Sequence, residues 1–173
     1  MATRVIGVAM VVGVLGFVGV AKGQSFTQRT RCLRNMRMAL DHLEKEICFG
    51  RVPLARAWAE VGKVADWPVN MFFLMAHRRL VQEKTATALE AWQEGIRFLE
   101  RNSHLCREDL EIIKSLGERL GVSDVVDQAR VLALVKAELK VQEEKAKSNE
   151  ESGKKLWSYG GFLAGILVSI LLL

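Results

Sequence analysis

Three histidines and three cysteines are the side chains of this 173-residue chain best suited to binding a metal or attacking an electrophile. His42 and Glu46 stand four apart, so on a helix they share one face and could offer two ligands to a metal. A closed site needs about four, so the pair is incomplete. His104-Leu105-Cys106 has no further ligand close by. Cys32, Cys48 and Cys106 are odd in number, widely spaced and without a C-x-x-C pair, which fits free thiols in a reducing compartment better than a disulfide framework. Cys32 and Cys48 also lack a neighbouring base in sequence that could create a reactive thiolate. No G-x-S-x-G, Walker loop or H-E-x-x-H occurs. The residues supply no catalytic constellation, no metal set and no cofactor motif, so the expectation is a protein that is not an enzyme.

The elements that would position any site follow from the charge distribution. All 20 acidic residues and 24 of the 25 basic ones lie between Lys22 and Lys155, the exception being Arg4. A body of 134 charged-rich residues therefore sits between two apolar ends. Val5 to Ala21 and Trp157 to Leu173 are each 17 residues without a charge. As helices they span roughly 26 Å, slightly short of a hydrocarbon core, and snorkelling by Arg4, Lys22 and Lys155 covers the difference. Trp157 and Tyr159 stand where an interfacial aromatic belt falls. A cleaved signal peptide ending at Gly19-Val20-Ala21 is the alternative for the first segment. Against it stand Lys22, Arg29, Arg31, Arg34 and Arg37, a cationic run that favours an uncleaved anchor with the body in the cytoplasm. Gly161 and Gly165 form G-x-x-x-G, and Ala9 and Gly13 form a second small pair, spacings that let membrane helices touch.

The body reads as helix throughout. From Ser25 to Phe49, Leu33, Met36, Leu40, Leu43 and Ile47 recur at steps of 3, 4, 3 and 4, one apolar seam with Arg37–Asp41 and Asp41–Lys45 available as surface pairs. Gly50 stops this helix by offering a left-handed cap. Pro53 opens a second, with Leu54, Ala57, Trp58 and Val61 inward. Asp66-Trp67-Pro68 starts a third carrying Val69, Phe72, Phe73, Ala76 and Leu80; Leu89, Trp92, Ile96 and Leu99 mark a fourth. Leu110, Ile113, Leu116 and Leu120 mark a fifth, ending at Gly121. Ser123 or Asp124 caps a long last helix with Val125, Ala129, Leu132, Val135 and Leu139 inward. Trp58, Trp67, Trp92, Phe72 and Phe73 fall on the stripes and are expected in the core. Residues 142–156 are almost wholly polar and are expected as a solvated stalk.

The expected fold is all-α. A short tail (1–4) precedes a transmembrane helix (5–21). A cytoplasmic compact antiparallel bundle of five to six helices (22–141) and the stalk (142–156) lead to a second transmembrane helix (157–173). The first and last helices of the bundle point back to one membrane. Basic residues cluster beside the apolar ends while acids and bases alternate between them, and no aromatic-interleaved basic strand occurs, which argues against nucleic acid.

In their order, these residues resemble the stage III sporulation protein AB family of endospore-forming bacteria. The resemblance runs over nearly the whole chain and includes both apolar ends. It is carried by Leu40-x-x-Leu43-x-x-Glu46-Ile47, Phe49-Gly50, Pro53-Leu54 and Ala91-Trp92. Its most specific stretch is Leu116-Gly117-x-x-Leu120-Gly121-Val122-Ser123-Asp124 with Gln128 four residues on, and Gly161-Phe162-Leu163-Ala164-Gly165 completes it. Phe49 replaces the family's usual tyrosine and Val52 its frequent threonine, each losing a hydroxyl.

The resemblance implies a component of the complex joining mother cell and forespore, similar to the cytoplasmic domains of the type II secretion platform protein. It implies a place in the mother-cell membrane around the forespore, body in the mother-cell cytoplasm, with a cytoplasmic ATPase and membrane components as partners. Such a platform fits two anchors on a rigid bundle. Pro53 and Leu54 at one turn, and Gly121, Asp124 and Gln128 at another, are then the candidate partner surfaces. Lipid headgroups on the basic flanks and self-association are further candidate contacts. The rival reading is a two-anchor sensor, or a lipid-surface protein, with an external helical domain, but the charge-free ends leave a sensor no cytoplasmic output module.

Overall fold

The computed structural model describes the backbone of residues 25, 27–83, 85–120 and 125–172, and side chains as far as Gly153 with that of Val125 excepted. Among these residues the chain is all helix, in six helices. Helix α1 (residues 27–44) continues into a π-turn at Lys45–Phe49. It is followed by α2 (Leu54–Val64), α3 (Val69–Gln82), α4 (Ala88–Asn102), α5 (Arg107–Gly117) and α6 (Val125–Leu172). Successive helices from α2 to α6 pack side by side, and short turns force each to run antiparallel to the last. At 48 residues, α6 is roughly 72 Å long.

Turn chemistry sets the helix starts. Pro53 occupies the cap of α2 with φ −54°, and its carbonyl accepts from Arg56 and Ala57 N–H at 2.9 and 3.0 Å. Thr87 Oγ1 accepts from Glu90 N–H at 3.2 Å while Glu90 Oε2 accepts from Thr87 N–H at 2.9 Å, a reciprocal box that fixes the start of α4. The α2–α3 turn is tied to α1, with Asn35 Nδ2 donating to the Asp66 carbonyl at 2.8 Å.

Helices α2 to α5 enclose an aromatic block centred on Trp92. Its indole lies edge-on to Phe72 at 4.6 Å and to Phe73 at 5.8 Å, and tilted against Trp58 at 5.6 Å. All four rings are fully buried. Trp92 Nε1 donates to the Ile113 carbonyl at 2.9 Å, whereas Trp58 Nε1, also buried, finds no hydrogen-bond partner among the described residues. The helices meet so closely here that a methyl at Gly117 would strike the Trp92 ring and one at Gly95 the Phe72 ring. Trp67, expected on a stripe, is instead 63% exposed in the α2–α3 turn.

Three further expectations are corrected. Gly50 is right-handed, at φ −76°; the left-handed residue is Arg51, at φ 47°. Glycine is needed at 50 for space, since a Cβ there would lie 2.8 Å from the Glu46 carbonyl oxygen. Helix α5 ends at Gly117 rather than reaching Gly121, with Leu120 still buried in the turn that follows. The stretch at 142–156 is no solvated stalk in its first turns: α6 runs through it unbroken, burying Gln142, Glu143 and Ala146. Among the described residues no helix is long and apolar enough to cross a membrane. Residues 5–21, with Ala9 and Gly13, lie outside the described residues; of 157–173 the backbone is helical to Leu172, and the surroundings of Gly161 and Gly165 lie outside the description.

Candidate functional site

The first and last helices build the most organised polar feature of the molecule. Along α1 the buried seam is Leu33, Met36, Leu40, Leu43 and Ile47; along α6 it is Leu132, Val135, Leu139, Gln142 and Ala146. Both follow steps of 3, 4, 3 and 4, the heptad spacing of a supercoiled pair. A ladder of polar contacts runs beside the seam. Thr27 Oγ1 donates to Glu150 Oε1 at 2.8 Å, Arg34 Nε to Glu143 Oε1 at 2.8 Å, and Lys136 Nζ to Asp41 Oδ1 at 2.7 Å. Each step of seven up α1 is a step of seven back along α6, so the two helices are antiparallel and in fixed register. Arg37 Nε and Glu44 Oε2 join the same ladder, at 3.2 Å to Glu143 and 2.6 Å to Lys136. Asp41 and Arg37 thus choose partners across the helix pair rather than each other. Burial works against the Lys136 ammonium, but its bonds to Asp41 and Glu44 outweigh that and raise its pKa.

Next to the ladder lies a buried ion pair that ties α1, α5 and α6 together. Arg29 grips Asp109 through Nε–Oδ2 at 2.8 Å and Nη2–Oδ1 at 2.9 Å, and Asp109 is fully buried. Arg29 Nη2 also reaches Gln142 Oε1 at 3.4 Å and Cys106 Sγ at 3.2 Å, and Cys106 N–H donates to Asp109 Oδ2 at 2.9 Å. The hydrogen bond to Asp109, against the cost of desolvation, raises the Arg29 pKa. The two-pronged geometry is what makes a buried carboxylate tolerable here.

The opposite pole carries the candidate partner residues. The π-turn Lys45–Phe49 packs on both α2 and α6, and Gly50 N–H closes it on the Lys45 carbonyl at 3.0 Å. Pro53 is exposed there, Leu54 is half-buried against the core, and Phe49 is 83% exposed. Gln128 lies half-buried in the first turns of α6, which run alongside this pole. The structure therefore brings Pro53, Leu54 and Gln128 to one end of the bundle. Gly121 and Asp124 lie outside the described residues. Residues 27 and 150 mark the other end.

The histidines and cysteines do not converge on one site among the described residues, although His42 and Glu46 do share a helix face. His42 Nε2 is 3.7 Å from Glu46 Oε1, and among the described residues no three of His, Cys, Asp or Glu cluster to hold a metal. His104 is exposed beside an open cleft of about 320 Å³ that Arg31, Asp66 and Trp67 also line. His77 Nδ1 is satisfied by the Ala55 carbonyl at 2.7 Å. Burial pushes the Cys32 thiol up to about 12.

Sequence reasoning missed Arg29, Asp109, Lys136 and Glu143. Their signal was present: charged or polar residues recur every seventh position at 27, 34 and 41, and again at 136, 143 and 150. A search for apolar periodicity passes over such a row, and the polar Gln142 and Glu143 hid a buried seam.

Fold and seam together define an up-and-down helical bundle closed by an antiparallel, heptad-registered pair of its first and last helices. The family model for stage III sporulation protein AB matches residues 4–173, and the chain belongs to that family. The stage III sporulation protein AB of Bacillus subtilis (strain 168) is 28% identical over 170 residues, covering 98% of this chain and 99% of that one. A solved structure described as stage III sporulation protein AB is similar with a TM-score of 0.67 and 28% identity, over 72% of this chain and 98% of that one. Family membership supports a role in the sporulation complex. Two stretches that carried the resemblance, Ala91-Trp92 and Leu116-Gly117, prove to be one contact, the Trp92 indole over Gly117.

Proposed function

We propose that this chain is a non-catalytic platform of the sporulation complex, held in the mother-cell membrane around the forespore by segments 5–21 and 157–173. Its bundle stands in the mother-cell cytoplasm and links a cytoplasmic ATPase to membrane components. The observation that carries this is the α1–α6 pairing. The antiparallel ladder makes the chain enter and leave the bundle at one pole, beside the basic flanks, and leaves Pro53, Leu54 and Gln128 at the other. A load applied at the far pole passes along two helices bonded at three levels, a stiffer link than a single tether.

Topology tests the reading. A single cysteine at Ser148, which is exposed on α6, is placed in a chain whose three native cysteines are replaced. A membrane-impermeant thiol reagent is expected to label it only after permeabilisation, and Pro53→Asp with Gln128→Lys is expected to weaken recovery of the ATPase with the membrane fraction. Labelling in intact cells would put the body outside and favour the external sensor.

A further inference from the structure

We propose that residues 45–51 form a recognition knob: Phe49 seats in an apolar pocket of a partner protein, while Lys45 and Arg51 bind acidic side chains on that pocket's rim. The inference rests on the platform reading above and adds the chemistry of the partner at the far pole. Three departures from ordinary helix fall together here. The chain closes an i→i+5 turn, with Gly50 N–H donating to the Lys45 carbonyl at 3.0 Å, a geometry that is rare and frequent at functional sites. Phe49, at 83%, is the most exposed large hydrophobic side chain among the described residues. Arg51, at φ 47°, is the only non-glycine with positive φ among them.

Nothing inside the bundle accounts for the three. Val52 N–H donates to the Glu46 carbonyl at 3.1 Å, so bonds on either side of Arg51 pin the turn. Glycine or asparagine takes the left-handed conformation at less cost, yet this position holds an arginine whose side chain is exposed and makes no hydrogen bond or ion pair among the described residues. Lys45, four residues before Phe49 and so on the same helix face, is exposed and equally unengaged. The acids beside them are taken: Glu44 accepts from Lys136 at 2.6 Å, and Glu46 Oε1 lies 3.7 Å from His42 Nε2. Asp127 and Arg130, in the first turns of α6, offset each other in charge. An exposed ring flanked by two cations therefore stands on a fixed backbone, and little freedom is lost when it docks. Aromatic and arginine side chains are the types that anchor interfaces. The cations select the occupant. A second copy meeting pole to pole would set Lys45 and Arg51 against their own kind. The membrane of the two-anchor reading adjoins residue 27, roughly 33 Å of helix away and several Debye lengths off. An apolar pocket rimmed by Asp or Glu on a partner protein satisfies both the ring and the cations.

The test uses the full chain in its sporulating host, with p-benzoylphenylalanine in place of Phe49 and ultraviolet light to trap the contact. The expected product is one adduct with the ATPase, in a peptide that carries Asp or Glu beside apolar residues. In parallel, recovery of the ATPase with the membrane fraction is measured for substituted chains. Phe49→Ser, and Lys45→Glu with Arg51→Glu, are each expected to lower it roughly tenfold, and Phe49→Tyr to leave it unchanged. Exchanging the trapped acids for lysine should restore recovery with Lys45→Glu and Arg51→Glu. Arg51→Gly separates recognition from folding. In detergent that chain should melt at or above the parent temperature, because glycine relaxes the turn, while recovery still falls. Lower melting together with lower recovery would make Arg51 a structural residue and overturn the proposal. So would an adduct with lipid, with a second copy or with a peptide lacking acids, and so would no adduct while the ATPase is recovered. If the knob variants leave recovery unchanged while Pro53→Asp with Gln128→Lys weakens it, the knob is overturned and the platform reading stands. If the parent chain itself fails to recover the ATPase, both are overturned.

Discussion

The aromatic block of α2–α5 and the paired helices α1 and α6 are held by different physics. In the block, four fully buried rings and two glycine contacts leave two indole N–H groups to satisfy, of which Trp92's finds a partner and Trp58's has none among the described residues. In the pair, an apolar seam is bordered by five charged contacts and a fully buried Asp109. A packed aromatic core is intolerant of volume and indifferent to salt. A charge-lined seam is the reverse, and it specifies register, because a slip of one residue would part every ion pair at once. The block makes the body stable; the pair decides where its ends point.

The comparison breaks most visibly at Arg29. Removing it leaves the Asp109 carboxylate buried with, among the described residues, the Cys106 N–H alone to bond it. Arg29→Ala is expected to cost about 3–5 kcal/mol by chemical denaturation of the purified chain. Replacing both members by apolar residues, Arg29→Met with Asp109→Leu, should recover most of that, since no charge is then stranded. If the double variant is as unstable as the single one, the pair holds the fold by more than charge compensation.

In the block the corresponding insult is one of volume. Gly117→Ala pushes a methyl into the Trp92 ring, which Phe72, Phe73 and Trp58 prevent from moving aside. Overpacking of this kind costs typically about 1–3 kcal/mol, and here it should not change between low and high salt. A smaller effect separates the two tryptophans. Trp92→Phe loses the bond to Ile113 and leaves that carbonyl short of a partner, whereas Trp58→Phe removes an indole N–H that had none among the described residues. Trp92→Phe is expected to be the costlier by about 1 kcal/mol in the same denaturation experiment; equal costs would mean that Trp58 is satisfied in solution.

The same division explains what was legible in the sequence. Leu33 to Ile47, the Trp92 stripe and the start at Pro53 could be read because each is an apolar repeat or a residue with one backbone habit. Trp67 could not, because a large ring beside a turn looks like core until the turn is seen to face solvent. Gly50 does end α1, but for steric room beside the Glu46 carbonyl in the π-turn, a local geometry that the left-handed preference of glycine does not report. The seam's continuation through Gln142 and Glu143 was hidden because its partners, Arg29, Arg34 and Arg37, lie more than 100 residues away. Apolar patterning shows which face is buried; it is silent where burial is secured by charge from a distant helix. Of the proposed partner surface, Pro53, Leu54 and Gln128 could be named individually, but their gathering at one pole follows only from the antiparallel return of α6.

The smallest expected effect gives the sharpest test of the contrast. Lys136 bonds Asp41 and Glu44 from a position whose side chain is 17% exposed, and both carboxylates remain partly open to solvent. Lys136→Gln should therefore cost only about 0.5–1 kcal/mol at low ionic strength, and less near 1 M salt, where screening reaches within about 3 Å. Its pKa is raised above the ordinary 10.5, so its contribution is fully present below that value and is lost only as pH climbs through the raised one. Between pH 6 and 9, then, salt should erase the difference between Lys136→Gln and the parent while pH should not. Because Lys136 is one rung of a register, the substitution should also speed hydrogen exchange of α1 amides near Asp41 without touching those of α4. Equal exchange in both helices would mean that block and pair open together, and the division drawn between them would not hold in motion.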